Sequence, residues 1–155
     1  MAGRVEAKLA ELGLSLPEVV PPLASYVPAV LSGPYVYTSG QLPMVDGTLP
    51  LTGKVGAEVT PEEAKELAAR CALNGLAAIK SVAGDLDRIV RVVKVVGYVA
   101  SAPDFTAQAG VINGASDLLG EVLGEAGVHA RSALGLAVLP LDAPVEIEFQ
   151  AELGA

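Results

Sequence analysis

Apolar and polar residues alternate most regularly at the C-terminal end of the chain. Val145, Ile147, Phe149, Ala151 and Leu153 share one side, and Glu146, Glu148, Gln150 and Glu152 share the other. A period of two is that of a strand with one buried face. The run before it alternates in size, with Leu134, Leu136 and Val138 against Ala133, Gly135 and Ala137. Arg131 has the parity of the small side, where another element or a ligand has room to approach. A Pro/Asp turn near Asp142-Ala143 predicts that the two runs form a hairpin, with Glu146 opposite Leu139 and Arg131 facing the chain end. At about 3.3 Å per residue this register separates Arg131 from Glu146 by roughly 25 Å. A pocket using both would then draw them from different subunits.

Upstream, residues 3–12 fit a short amphipathic helix with Val5, Leu9 and Leu12 on one side. Pro17, Pro21 and Pro22 interrupt regular structure after it. Strands are expected near Tyr26–Leu31 and Tyr35–Gly40, joined by the turn Ser32-Gly33-Pro34. Pro28 confines the first of them to a sheet edge. Residues 42–58 read as loop with one small irregular hairpin at Asp46-Gly47. Thr60-Pro61-Glu62-Glu63 combines an N-cap, a proline at the first helical position and a capping-box glutamate. That helix runs to about Ala83, and Gly84 stops it. Ile89 to Val99 is apolar and β-branched, as in a central strand covered on both faces. A second helix is expected from Pro103-Asp104, with Phe105, Ile112, Ala115, Leu119 and Val122 at helical spacing and Gly124 and Gly127 ending it. The order predicts an α+β sandwich over residues 1–155, one domain with two helices on one face of one mixed sheet.

Composition narrows the class. With 52% hydrophobic and 18% charged residues in 155, the chain can bury a core and has apolar surface to hide by self-association. No apolar run reaches membrane-span length and the N-terminus lacks a secretory apolar core, so a soluble, cytoplasmic protein is expected. A formal charge of -8 and the absence of Trp argue against nucleic-acid binding. Cys71 is the single cysteine, which rules out an internal disulfide and a cysteine-rich metal site.

The inventory of chemistry is short. There is no HExxH, P-loop, GxGxxG after a strand, or GxSxG. One His cannot supply a two-histidine acid/base pair within one chain. Tyr37, Thr38 and Ser39 carry hydroxyls without a base close by in sequence. Arg131 can hold a carboxylate or phosphate through two parallel charge-assisted hydrogen bonds, or form an ordinary salt bridge. Glu146 suits a general base or a water-holder, or is one of four polar residues on a wet face. His129 can assist proton transfer or sit in a loop, and Cys71 reads as a small core residue. Arg88, Arg91 and Lys94 make a weak basic footprint in an acidic chain.

Together, Thr38-Ser39-Gly40-Gln41-Leu42-Pro43 and the stretch from Ala130 to Glu148 (ARSALGLAVLPLDAPVEIE) resemble the RidA/YjgF family of enamine/imine deaminases. Tyr26, thirteen residues before Ser39, fits as well. The resemblance covers roughly residues 24–153, with residues 1–23 as an N-terminal extension of a longer subgroup. It implies a chorismate-mutase-like fold assembled as a homotrimer, with sites between subunits. It implies hydrolysis of 2-aminoacrylate and related 2-imino acids to 2-keto acids and ammonia, without metal or cofactor. Arg131 would clamp the carboxylate, and Glu146 would hold or activate water with help from Ser39 and the backbone at Gly40. Tyr26, Ala133 and Asn113 would line the pocket. Ala133 stands where many members carry a cysteine, and His129 where shorter members carry a proline. Two other readings share these residues: a trimeric binder of small carboxylates without turnover, and an endoribonuclease, against which the charge and the single His weigh.

Overall fold

A computed structural model describes residues 3–155. Its elements are α1 (Arg4–Glu11), β1 (Ala29–Ser32), β2 (Tyr35–Thr38), α2 (Pro61–Ala83), β3 (Ile89–Ala100), α3 (Gln108–Leu123), β4 (Ala130–Leu136) and β5 (Val145–Leu153). The five strands form one mixed sheet in the order β1-β2-β5-β3-β4, with β3 and β4 its one parallel pair. The proline-limited strand β1 is an edge, as expected. Asp46-Gly47 also turns as expected, with positive φ at both residues and Val45 bridged to Thr48.

The predicted C-terminal hairpin does not form. β3 lies between β4 and β5, parallel to the first and antiparallel to the second. Parallel neighbours need a crossover, and α3 supplies it between β3 and β4. The connection after β4 then carries the chain past the end of β3 rather than turning back tightly. Pro144 accepts a hydrogen bond from the amide of Ala100, and Leu141 and Asp142 take left-handed φ values of 58° and 60°. Two other expectations change. The second helix begins at Gln108, because Ala102 to Phe105 closes a turn of its own (Phe105 N–H to Ala102 O, 3.0 Å). β3 is covered on one face within the chain, and Val90 and Arg91 on the other face are exposed.

The helix α2 starts as its sequence dictates. Thr60 Oγ1 accepts from the Glu63 amide at 3.1 Å, and the Glu63 carboxylate accepts from the Thr60 amide at 3.0 Å. Its small residues let it lie close to its neighbours. Gly75 faces the ring of Phe149, and a Cβ there would stand 2.3 Å from Cε1. Gly114 of α3 meets the Lys65 carbonyl oxygen, which a Cβ would approach to 1.9 Å. Between the helices and β5 lie Leu76, Ile79, Ile112, Leu119, Ile147 and Phe149, all at most 2% exposed. Each such side chain contributes about 1.5–3 kcal/mol of hydrophobic stabilisation.

The N-terminal helix joins the same core through Val5 and Leu9. Its first turn is capped from outside: the Asp87 carboxylate accepts from the amides of Arg4 (2.8 Å) and Val5 (3.0 Å). These bonds hold the Asp87 carboxyl below its ordinary range.

Candidate functional site

Arg131 and Glu146 take their positions from the sheet. Arg131 pairs with Val95 of β3, which pairs in turn with Phe149 of β5. Side chains in register on neighbouring strands share a face, so Arg131 points towards the helices. Ala133 shares that face and packs against the main core, opposite Gly97. The small side of β4 is therefore where α3 approaches: a Cβ at Gly97 would stand 2.4 Å from Ile112 Cδ1.

Three groups of α3 hold the guanidinium. Arg131 Nη1 donates to Asn113 Oδ1 at 2.8 Å and to Ser116 Oγ at 3.1 Å, and Nη2 donates to the Ala109 carbonyl at 3.3 Å. None of these partners is a carboxylate, so the charge is oriented without being neutralised. Of the five N–H donors, Nε–H and one on Nη2 carry no bond among the described residues. Behind Ser116 stands His129, whose Nε2 lies 2.8 Å from Ser116 Oγ and whose Nδ1 lies 2.6 Å from the Gly127 carbonyl. A carbonyl only accepts, so Nδ1 carries the proton and, in the neutral ring, Nε2 accepts from the Ser116 hydroxyl.

Glu146 occupies the other face. It pairs with Tyr98, and Glu148 on the same face accepts a hydrogen bond from the Tyr98 hydroxyl. That bond, chiefly, pushes the Tyr98 pKa up to about 12. Burial, and secondarily the charge of Glu148, hold the Glu146 carboxyl above its ordinary value. Gly40 lies directly against it, where an added Cβ would stand 1.9 Å from Glu146 Oε1.

The approach of Gly40 follows from an irregularity between β2 and β5. Tyr37 pairs with Gln150 but Gln41 with Ile147, so the β2 side carries one extra residue. Thr38 compensates: its Oγ1 accepts from the buried Phe149 amide at 3.1 Å. Ser39 is tied back by its amide to Pro28 O (2.8 Å) and by its hydroxyl to Val27 O (2.5 Å). Tyr26, whose hydroxyl accepts from the Leu23 amide at 3.2 Å, lines a cavity of about 60 Å³ with Gly40 and Glu146. A more open cavity of about 340 Å³ lies on the other side of Glu146, against Tyr98, Leu136 and Glu148.

Two groups result. Tyr26, Gly40 and Glu146 come together on the open face, with Ser39 adjoining. Arg131, Asn113 and Ala133 lie on the helix face. Three strand steps and two strand spacings put the Cα atoms of Arg131 and Glu146 roughly 14 Å apart, on opposite sides of one sheet.

A sequence model described as "YjgF/chorismate_mutase-like, putative endoribonuclease" matches residues 6–153. The chain belongs to the RidA/YjgF family. Among its relatives, protein TCP17 of Trypanosoma cruzi is 46% identical over 153 residues, spanning 98% of this chain and 96% of the relative. The crystal structure of Atu1372 from Agrobacterium tumefaciens is 48% identical with a TM-score of 0.91, over 97% of this chain and 93% of that one. The crystal structure of a putative endoribonuclease from Shewanella oneidensis MR-1 is 35% identical with a TM-score of 0.93, over 96% of this chain and 99% of that one. The mixed sheet with its helices is thus the chorismate-mutase-like RidA/YjgF fold.

Within this RidA/YjgF chain, the sequence reading missed Ser116, Tyr98, Glu148 and Gln41. Ser116 had a signal: it sits three residues after Asn113, on one helix face. Gln41 is 4% exposed and donates from Nε2 to the Ser39 carbonyl at 3.2 Å, which adds to the support of Ser39-Gly40. Its role depends on the bulge, which no local pattern announces. Among the described residues no group of three or more His, Cys, Asp and Glu is placed to hold a metal, and no helix is long and apolar enough to cross a membrane.

Proposed function

We propose that this protein hydrolyses 2-aminoacrylate and related 2-imino acids to 2-keto acids and ammonia, at sites shared between the subunits of a homotrimer. The observation that carries the reading is the Arg131 guanidinium, fixed by three uncharged acceptors on α3 and left with donors for an anion. A carboxylate accepting two such bonds is both charge-matched and oriented. Family membership supports the same reading, as does E. coli TdcF, crystallised with bound serine. That structure is 25% identical with a TM-score of 0.62, over 88% of this chain and 94% of its own.

The proposed chemistry needs neither metal nor cofactor, because an imine carbon is itself electrophilic. The enamine gains a proton from solvent at C3 and becomes the 2-iminium ion. Water adds to C2 while Glu146 takes its proton, giving a carbon that carries both hydroxyl and amine. The proton passes from Glu146 to nitrogen, the C–N bond breaks, and ammonia leaves as Glu146 takes the hydroxyl proton and C2 forms a double bond to oxygen. A carboxyl raised above its ordinary value by burial is a stronger base than an exposed one, which suits it to accept and return one proton. Ser39 and the backbone at Gly40 would steady the water, and Tyr26 and Ala133 would line the site.

Two subunits are required by this scheme, because Arg131 and Glu146 face opposite sides of their own sheet. The open face supports association: Leu134 is 47% exposed and shares that face with Leu136, Val96 and Tyr98. The test is keto-acid release from an enamine generated by a dehydratase. Wild type should accelerate it over buffer and Arg131→Ala should not. Equal rates for wild type, variant and buffer, with the carboxylate still bound, would leave a binding protein. RNA cleavage that survives Arg131→Ala would favour the endoribonuclease that the family description names.

A further inference from the structure

We infer that His129 is a positioning residue for Arg131, acting through Ser116 to hold the guanidinium in line for an anion. This rests on the proposed function for the carboxylate that Arg131 takes, but not for the relay behind it. Four groups form one chain of donors and acceptors. Arg131 Nη1 donates to Ser116 Oγ at 3.1 Å, and Ser116 Oγ lies 2.8 Å from His129 Nε2. His129 Nδ1 lies 2.6 Å from the Gly127 carbonyl, which can only accept. In the neutral ring the proton is therefore on Nδ1, Nε2 takes the Ser116 hydroxyl proton, and the Ser116 lone pairs are left for Arg131. Each donor in such a chain strengthens the next bond, and no opposing charge is placed on the guanidinium.

Both ends of the relay stand on α3. Ser116 belongs to that helix, and Gly127 is buried against it: a Cβ there would stand 2.2 Å from the Leu119 carbonyl oxygen. The carbonyl that orients the ring is thus fixed relative to the hydroxyl that the ring receives.

Ser116 also lacks the bond that a serine inside a helix often makes. Such a hydroxyl points to solvent or turns back to a carbonyl of the preceding turn, as Ser81 of α2 does to Ala78 at 2.6 Å. Among the described residues Ser116 makes no such bond, and its oxygen stands between His129 and Arg131. The ring nitrogen supplies the acceptor that draws the hydroxyl away from its own helix. Without it the hydroxyl is free to turn back, and Arg131 keeps only Asn113 and the longer bond to Ala109.

The test compares wild type, Ser116→Ala, His129→Phe and the double variant, with His129→Gln as the conservative replacement. Phe keeps a ring but offers no acceptor, and the site is half-buried, so the core is untouched. Calorimetry with 2-oxobutanoate, a stable keto acid, reads affinity without turnover. His129→Phe should weaken binding roughly threefold to tenfold, the loss expected for one hydrogen bond. The double variant should bind no more weakly than Ser116→Ala, because both changes cut the same relay. His129→Gln, whose amide oxygen reaches the place of Nε2, should recover most of the affinity. Imidazole nitrogen spectra of the unliganded protein add a second reading, since His129 is the one histidine of the chain. At about pH 8.5, where an ordinary imidazole is neutral, the proton should be found on Nδ1. Losses that add in the double variant, binding by His129→Phe equal to wild type, or a ring protonated on Nε2 each overturn the relay. Keto-acid release is followed in parallel. The same pattern of affinities without turnover by any form would retain the relay and reject the deaminase.

Discussion

Arg131 and Glu146 lie on opposite faces of the same sheet, the first gripped by α3 and the second turned away from both long helices. β4 presents Arg131 to the helix side because it pairs in parallel with β3, through the register Val95–Arg131. β5 presents Glu146 to the open side through the register Tyr98–Glu146. Neither residue can reach the other's face without breaking the ladder. Everything proposed for the site depends on this separation.

Asn113 and Ser116 are positioning residues for Arg131. Asn113→Ala removes the 2.8 Å acceptor and Ser116→Ala the 3.1 Å one. The guanidinium then has more freedom and a carboxylate must order it on binding. KM for the imino acid should rise, by about tenfold for Asn113→Ala, a loss of roughly 1.4 kcal/mol. Steady-state kinetics with circular dichroism checks this. An unchanged KM in the double variant would mean that α3 does not orient the arginine.

Gly40 is predicted to matter for activity more than for stability. A Cβ there would stand 1.9 Å from the end of the Glu146 side chain, which can swing away, rather than from backbone. Gly40→Ala should stay folded and displace the carboxylate by about an ångström. Such a misplacement costs on the order of a hundredfold in rate. Gly114→Ala is the counter-case: its Cβ meets the Lys65 carbonyl of another helix. It should destabilise by about 3 kcal/mol through overpacking, read from denaturant unfolding.

The pH dependence follows from Glu146. Its carboxyl is held above the ordinary value by burial and by Glu148. The folded state therefore keeps this proton to higher pH than the unfolded chain does. Glu146 thus lowers stability as pH rises from the unfolded value through the folded one, and the loss stays complete above it. Glu146→Gln removes that loss, so it should melt higher than wild type at neutral pH while losing turnover. If Glu146 is the base, kcat/KM rises with pH through the same titration, and Glu148→Gln should move that limb to lower pH. A limb that stays put in Glu148→Gln would assign the titration to another group.

How much of this was legible in the sequence depends on how local the signal is. The alternation from Val145 to Leu153 and the small side of Ala133 and Gly135 were readable, because the period of a strand assigns faces. The same was true of α2, whose cap Thr60 and proline Pro61 are adjacent in sequence and whose last residue, Ala83, is followed directly by Gly84. The pairing of β1 with β2 was readable from the turn Ser32-Gly33-Pro34, but the partners of β4 and β5 were not. The run ending at Leu136 and the run starting at Val145 look like a hairpin, yet β3 comes between them, because α3 has already placed β4 at the far side of β3. The bulge that brings Gly40 to Glu146 is likewise a product of tertiary packing. Asn113 was placed by resemblance, and the structure gives it a contact with Arg131.

The most direct measurement of the shared site mixes two inactive variants, Arg131→Ala and Glu146→Gln. The two chains are co-expressed in equal amounts, and the whole population of oligomers is assayed for keto-acid release. In a random equal mixture of trimers, about a quarter of the sites would combine an intact Arg131 from one subunit with an intact Glu146 from its neighbour. Recovery to about a quarter of wild-type activity is the predicted result. Mixed trimers no more active than either parent would show that the two residues do not meet between subunits, and would contradict the account.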